Sequence, residues 1–497
     1  MTRAPFDAAA RARSLDALDR SELDLLIIGG GITGAATARD AAMRGLTTAL
    51  VERDDFASGT SSRSSRLIHG GLRYLEHGEL HLVFEASRER RTLLRIAPGL
   101  VEPLRFTWPV YRGARVPRWK LRAGLILYDA LALFRNIERH RMRSVQEIEQ
   151  LEPRLRHDGL LGGATYYDAR CDDARLTLAN ARAAADAGAL IINHAAVRAL
   201  VTDGGTVRGA EVECAITGRQ IRARARCVVN AAGPWTDGVR LLADPHARAG
   251  VRGTKGAHIL VPRVSAGNLE AIAITHPRDG RVMFILPDGE FTLIGTTDTD
   301  YFGALDDVRA THEDVRYLLE AANYYLPAVA LEPADVVSAW AGIRPLVASD
   351  AITTAAVSRE HAITLTARGL LTVTGGKLTT NRLMAAQIVD RVEQQIGRAH
   401  RAADTAGTPL ADGQAREPAP SELTPAVARA VREEMALTVA DVLIRRTRLA
   451  FRLRDHGVAL APAVARLMAP ALGWDAARER DAAAAYPRDA ARMFSIE

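Results

Sequence analysis

The chain has 497 residues, 48% hydrophobic and 25% charged, which is too long for one simple core and calls for two or three globular domains. A net charge of +6 is modest at this length and speaks against a nucleic-acid partner. No apolar run is long enough to cross a bilayer. The three cysteines, Cys171, Cys214 and Cys227, show neither metal-ligand spacing nor an even disulfide set, so no metal is expected and a reducing cytoplasm fits.

Residues 1–22 lack the apolar core of a signal peptide and carry Asp7, Asp16 and Asp19, so they read as a polar N-terminal extension with a lead-in helix. The next stretch, Asp24–Arg53 (DLLIIGGGITGAATARDAAMRGLTTALVER), has the order strand, glycine turn, helix, strand, acid. Gly29, Gly31 and Gly34 supply the G-x-G-x-x-G spacing of a βαβ dinucleotide fold. In that fold the first glycine permits a tight turn, the second lets backbone approach a pyrophosphate, and the third seats the helix on the strand. The helix N-terminus offers unpaired N–H groups to phosphate, and Glu52 falls where an acid accepts hydrogen bonds from a ribose.

The loop Phe56–Arg66 (FASGTSSRSSR) is small and hydroxyl-rich, suited to a second phosphate or ribose contact. Leu67–Leu75 crowds His69, Arg73 and Tyr74 among glycines directly after it, which marks a candidate site. Glu79–Arg95 has the spacing of an amphipathic helix, after which Pro98, Pro103 and Pro109 are expected to break up the chain. Tyr111–Tyr128 sets Arg112, Arg115, Arg118, Lys120, Arg122 and Trp119 beside the aliphatic run Leu125–Leu127, the make-up of a segment lying on an anionic membrane surface. Leu160–Asp173, the helix Ala174–Gly188 and the strand Leu190–Asn193 read as a return to the nucleotide domain. Val197–Val201 and Val207–Ile216, split by Asp203-Gly204-Gly205, form a predicted hairpin, and Cys227–Asp237 is a buried strand ending in small residues.

From Val251 to Val347 short strands and turns predict an antiparallel sheet with one helix, Glu313–Tyr325. Gly369–Arg382 repeats the strand, glycine turn and helix, with Lys377 expected at the helix start. Lysine occurs only at 120, 255 and 377 in a chain whose remaining positive charge is arginine, so each lysine is a candidate for a place where a guanidinium will not serve. Residues 401–420 read as a loose linker and 421–497 as a helical domain.

IIGGGITGAATARDAAMRGL, GTSSRSSRLIHGGLRYLEHGEL, VVNAAGPWTD, KGAHILVPR, IGTTDTDY, GIRPL and GGKLTTNR, in that order, resemble the FAD-dependent, quinone-linked glycerol-3-phosphate dehydrogenases. The resemblance runs from Asp24 to Arg382 and returns at Thr438–Leu449. It implies an α/β plus α+β chain: a Rossmann-like FAD-binding domain (23–105, 160–250 and 346–400), an inserted antiparallel-sheet substrate domain (106–159 and 251–345) of D-amino-acid-oxidase type, and the helical C-terminal domain. It further implies FAD, glycerol 3-phosphate oxidised by hydride transfer from C2 to flavin N5, electrons passed to a membrane quinone, a homodimer, and attachment to the inner face of the cell membrane. Carried onto this chain, FAD would contact Gly29, Gly31, Gly34, Glu52, Thr60, Ser61, Ser62, His69, Val197, Ala232, Gly233, Gly376, Lys377, Leu378 and Thr379. Substrate and chemistry would fall to Arg73, Tyr74, His258, Arg344 and Lys377, with Arg344 the phosphate fork and His258, of near-neutral reference pKa, the foremost base. Asn381 stands where the family is expected to carry an aromatic residue. Two other readings stay open at this point: an amine or hydroxy-acid oxidase of the same fold, and a non-catalytic flavin-binding membrane protein.

Overall fold

The computed structural model describes residues 3–348, 360–410 and 420–497, without the side chains of Arg73, His77 and Pro420. The part of the linker at 411–419 and the stretch 349–359 of the expected cofactor domain lie outside the described residues.

An eight-stranded sheet carries the glycine turn. Five of its strands run parallel, in the order Leu370–Gly375, Gln220–Asn230, Glu22–Ile28, Thr48–Val51, Leu190–Ile192. Apart from the alternating first part of Gln220–Asn230, their largely apolar sequences follow from being covered on both faces. One cover is the helix Ile32–Met43, whose Ala35, Ala38 and Ala41 are fully buried with Ala181, Ala184 and Ile388 of neighbouring helices. The expected hairpin is present as Ala195–Asp203 and Thr206–Cys214. The N-terminal segment forms the expected helix, Ala8–Arg20, but it is no solvated extension. Leu15 and Leu18 are buried in the sheet's core, and the Arg11 guanidinium donates to the Asn193 carbonyl at 2.9 and 2.7 Å.

A ten-stranded sheet holds the expected antiparallel region, ordered Thr299–Asp300, Val251–Pro262, Phe291–Gly295, Val282–Asp288, Ala271–Thr275, Val101–Tyr111, Leu160–Cys171, Leu67–Ile68. Ser338–Val347 also pairs with Val251–Pro262. This membership differs from the expected boundaries at 105 and 160. Val101–Tyr111 zips antiparallel onto Leu160–Cys171 from Val101↔Cys171 to Tyr111↔Leu160, so those strands belong to one layer, and the return to the nucleotide sheet comes at Leu190. Pro103 and Pro109 do not break the chain, because both sit inside the strand Val101–Tyr111. Pro103 precedes the point where Ala271–Thr275 begins to pair, and Pro109 lies at a register shift, so neither missing N–H interrupts a regular ladder.

Helices Leu423–Glu433, Ala461–Leu472 and Ala476–Phe494 make the expected helical C-terminal region. It is joined to the first sheet by a buried ion cluster. Asp55, in the loop after Thr48–Val51, accepts from Arg446 at 2.7 and 2.8 Å and from Arg445 at 2.6 Å. Asp441 pairs with His194 at 2.9 Å and Arg445 at 2.8 Å. The arginines satisfy the carboxylates that would otherwise suit a cation. The first half of the linker is tied down as well: Leu410 is buried and donates its N–H to the Ile96 carbonyl at 2.6 Å. Replacing Arg446 by methionine leaves Asp55 short of a partner in a dry interface, and urea unfolding is expected to register a loss of about 3 kcal/mol.

Candidate active site

Between the two sheets lies a cavity of about 530 Å³. Its floor is the glycine turn. Gly29 has φ +111°, and a Cβ there would come within 2.6 Å of the Ala231 carbonyl oxygen. A Cβ on Gly34 would collide with the Gly29 carbonyl oxygen, so that glycine sets how closely helix and strand approach. Ser61 Oγ accepts the Ile32 N–H at 2.9 Å at the helix N-terminus, and Thr60 Oγ1 donates to the Ile343 carbonyl at 2.6 Å. Glu52 accepts from the Gly30 and Asp54 amides at 2.6 and 2.9 Å, while burial pushes its carboxyl pKa up. A cleft with helix-terminal amides, a half-buried acid at the strand end and glycines no side chain could replace fits a dinucleotide.

On the side of the second sheet, the two glycine-rich motifs are sewn together. The His69 N–H donates to Thr379 Oγ1 at 3.2 Å, and that hydroxyl faces the His69 carbonyl at 3.3 Å. Lys377 Nζ sits 3.8 Å from the centre of the Tyr74 ring. Lys377 lies in the turn before the helix Asn381–Ile396 instead of at its start. Asn381 explains the departure from an aromatic: its side-chain amide donates to the Leu378 carbonyl at 2.7 Å and closes that turn.

His258 is buried in the strand Val251–Pro262, stacked on Trp340 with centroids 5.7 Å apart, and its Nε2 is 2.9 Å from Ser65 Oγ. Burial, then the charges of Arg344 and Arg66, depress its pKa to about 3. The imidazole, of near-neutral reference pKa, is thus uncharged throughout the physiological range, in a cationic field that disfavours its protonated form. Arg344 donates to Asp298 at 3.2 Å, Thr296 Oγ1 at 3.0 Å and the Thr297 carbonyl at 3.3 Å. Gly256 and Gly295 are required here, since a Cβ on either would strike the Arg344 guanidinium or the His258 ring. Arg344, Ser65, His69, Tyr74 and Phe284 are shared with a second chamber of about 180 Å³.

Of the residues singled out in the sequence, Gly29, Gly31, Glu52, Thr60, Ser61, His69, Tyr74, Val197, Ala232, Gly233, His258, Arg344, Gly376, Lys377, Leu378 and Thr379 all line the larger cavity. Gly34 acts from beneath it, and Ser62 is buried and not among the lining residues. Arg73 stands on the short turn Leu72–His77, but its side chain lies outside the described part of the structure. Arg63 and Ser65, which line the cavity, belong to the hydroxyl-rich loop read as a phosphate or ribose contact but were not singled out in it; Trp235, also lining the cavity, and Arg281 and Asp298, lining the smaller chamber, were not named as site residues. Arg63 was recoverable as one of only two charges in FASGTSSRSSR. Nothing local marks Ser65 as the partner of a histidine 193 positions on. The other two lysines are not in the site: Lys255 is buried against Asp314 at 2.6 Å, and Lys120 is half exposed beside Glu76.

Residues 24–382 match the family described as FAD dependent oxidoreductase, and residues 385–479 match the C-terminal domain of alpha-glycerophosphate oxidase. Glycerol-3-phosphate dehydrogenase 2 of Mycobacterium tuberculosis is 37% identical, covering 95% of this chain and 89% of its own. Aerobic glycerol-3-phosphate dehydrogenase of Bacillus subtilis is 39% identical over 79% of this chain and 70% of its own. Among solved structures, the glycerol-3-phosphate dehydrogenase from Bacillus halodurans complexed with FAD superposes with a TM-score of 0.80 at 29% identity, covering 99% of this chain and all of its own. Glycine oxidase from Geobacillus kaustophilus, at 24% identity and TM-score 0.54, shares the fold. The chain belongs to the FAD-dependent glycerol-3-phosphate dehydrogenase family, and FAD is its cofactor.

Replacing Gly34 by alanine forces helix and strand apart at the pyrophosphate end. The purified variant is expected to be colourless, with flavin content below about a tenth of wild type, a clash of this kind costing several kcal/mol; a yellow variant at full occupancy would contradict that role.

Proposed function

We propose that the chain oxidises sn-glycerol 3-phosphate to dihydroxyacetone phosphate and passes the electrons to a membrane quinone. The observation that carries this reading is a fixed guanidinium, Arg344, on the wall shared by the two chambers, beside a buried imidazole, His258, that lines the larger one. Bound in the larger cavity, FAD supplies a two-electron acceptor for hydride. The protein supplies the rest. Arg344 forks onto the phosphate, helped by Arg73 from its turn. His258 Nε2, steadied by Ser65, takes the proton of the C2 hydroxyl. A phosphate dianion paired with Arg344 cancels part of the field that depresses the imidazole pKa, so substrate binding itself raises the proton affinity of the base. Lys377, beside Tyr74, holds the hydroxyl or the negative end of the reduced ring. An Arg344→Ala variant should keep its FAD, because the cofactor's backbone cradle is untouched, and should raise the KM for glycerol 3-phosphate about 100-fold, the worth of one or two charge-assisted hydrogen bonds. Unchanged steady-state kinetics would sink the assignment.

The electron acceptor implies a membrane surface, and the helix Arg118–Leu131 supports that part of the reading. Among the described residues no helix is long and apolar enough to cross a membrane. Leu121, Leu125 and Tyr128 face the core, whereas Trp119 (72% exposed), Ile126, Leu127, Leu133 and Phe134 stand in solvent, as do the basic residues Arg115, Arg118, Lys120 and Arg122. The apolar surface thus extends past the expected 111–128, while Tyr111 is buried at the end of a strand. Such a face docks peripherally on anionic lipid at the inner side of the cell membrane. Sedimentation with phosphatidylglycerol vesicles is expected to capture the protein at low ionic strength and release much of it in high salt. Protein left in the supernatant at low salt would rule out this face as an anchor.

A further inference from the structure

We propose that Arg281 is a second anion-binding arm, contacting the substrate's phosphate jointly with Arg344. This inference rests on the reading of the substrate as a phosphomonoester. Arg281 immediately precedes the strand Val282–Asp288, Asp298 follows Phe291–Gly295, and Arg344 lies on Ser338–Val347. The fold brings the three side chains to one wall of the smaller chamber. One carboxylate bridges both guanidiniums: Asp298 accepts from Arg281 Nη1 at 2.8 Å through one oxygen and from Arg344 Nη1 at 3.2 Å through the other. Its side chain is 3% exposed, so this bridge is sheltered from water.

Two guanidiniums, Arg281 and Arg344, line the chamber with Asp298 between them, and the chamber's other carboxylate, Asp168, is already paired with Arg90. The other acid near Arg281, Asp279, is 3.8 Å from its Nε and half exposed, which makes it a weak, screened partner. The Tyr317 hydroxyl, also near Arg281, is a neutral group, its pKa held above the ordinary value by burial and by Asp279. Arg281 and Asp298 line the smaller chamber alone, whereas Arg344 lines both. That distribution separates the roles: Arg281 stands on the substrate side and away from the cofactor. A phosphomonoester presents three oxygens, more than one fork engages, and Asp298 fixes the spacing of two forks before the ligand arrives. Phe106, Trp108 and Tyr166 form the apolar part of the same chamber, which limits hydration of the ion pair and strengthens it.

The test uses FAD-loaded wild type, R281M and R281K, with inorganic phosphate titrated calorimetrically and glycerol 3-phosphate followed by flavin reduction. For R281M the Kd for phosphate and the half-saturating glycerol 3-phosphate concentration are both expected to rise about 10- to 100-fold. The limiting reduction rate should stay within about 3-fold, as expected for a contact made equally in ground and transition states. R281K should recover part of the affinity, since it keeps the charge and loses the fork. Flavin content is expected to match wild type; if R281M fails to load FAD, R281K carries the same comparison at smaller amplitude. Phosphate affinity unchanged in both variants would overturn the proposal and leave Arg281 as a structural partner of Asp298. Phosphate binding weakened in a protein whose wild type is not reduced by glycerol 3-phosphate would uphold the arm and reject the substrate reading instead.

Discussion

The site depends on one electrostatic arrangement, a guanidinium held beside an imidazole that burial keeps neutral. Asp298, Thr296 and the Thr297 carbonyl fix Arg344, and two glycines, Gly256 and Gly295, vacate the space that it and His258 occupy. The positive field needs no protonated histidine. That field suits an anion and disfavours the protonated imidazole, so His258 stands in it as a neutral group. Behind His258 the support is aromatic: Trp340 stacks on it, Phe451 meets Trp340 edge-on at 4.8 Å, and Phe494 meets Phe451 at 5.0 Å. The helical C-terminal region thereby braces the wall that carries His258, although among the described residues it contributes no lining residue to either cavity.

The cofactor cleft, in turn, exists only between two sheets. Thr379 to His69 and Thr60 to Ile343 are bonds across that seam, and each joins a motif that is far away in the chain. Such bonds make the cleft's width a property of the whole fold, which is what precise placement of a substrate hydroxyl against a cofactor ring requires. The buried Asp55–Arg445–Arg446 cluster performs the same task one layer out, tying the loop after Glu52 to the C-terminal helices.

The nucleotide turn was legible because its chemistry is local. Thirty residues contain strand, glycines, helix and acid, and each glycine has a reason visible in spacing alone. The substrate wall was half legible: local crowding and the scarcity of lysine brought Tyr74 and Lys377 to notice, the resemblance brought His258 and Arg344, and all four line the cavity. What escaped was long-range pairing. Ser65 meets His258, and Asp298 meets Arg281 and Arg344, through sheet register that no window of sequence contains. The prolines misled for a related reason, since whether a missing N–H disrupts a strand depends on which neighbour would have used it. The lead-in helix and the linker looked solvated because a few buried residues, Leu15, Leu18, Arg11 and Leu410, are diluted among polar ones. The sheet to which Leu160–Cys171 belongs was likewise a matter of partner, not of composition.

The most direct measurement is anaerobic. Glycerol 3-phosphate is added to the FAD-loaded protein, the flavin absorbance is followed, and a soluble quinone analogue is then supplied. The expected result is rapid bleaching of the oxidised-flavin band, read as the transfer of two electrons, and recovery on addition of the quinone. A flavin that stays oxidised with glycerol 3-phosphate, yet bleaches with an amino acid or a hydroxy acid, would contradict the assignment of the cationic wall to a phosphorylated substrate.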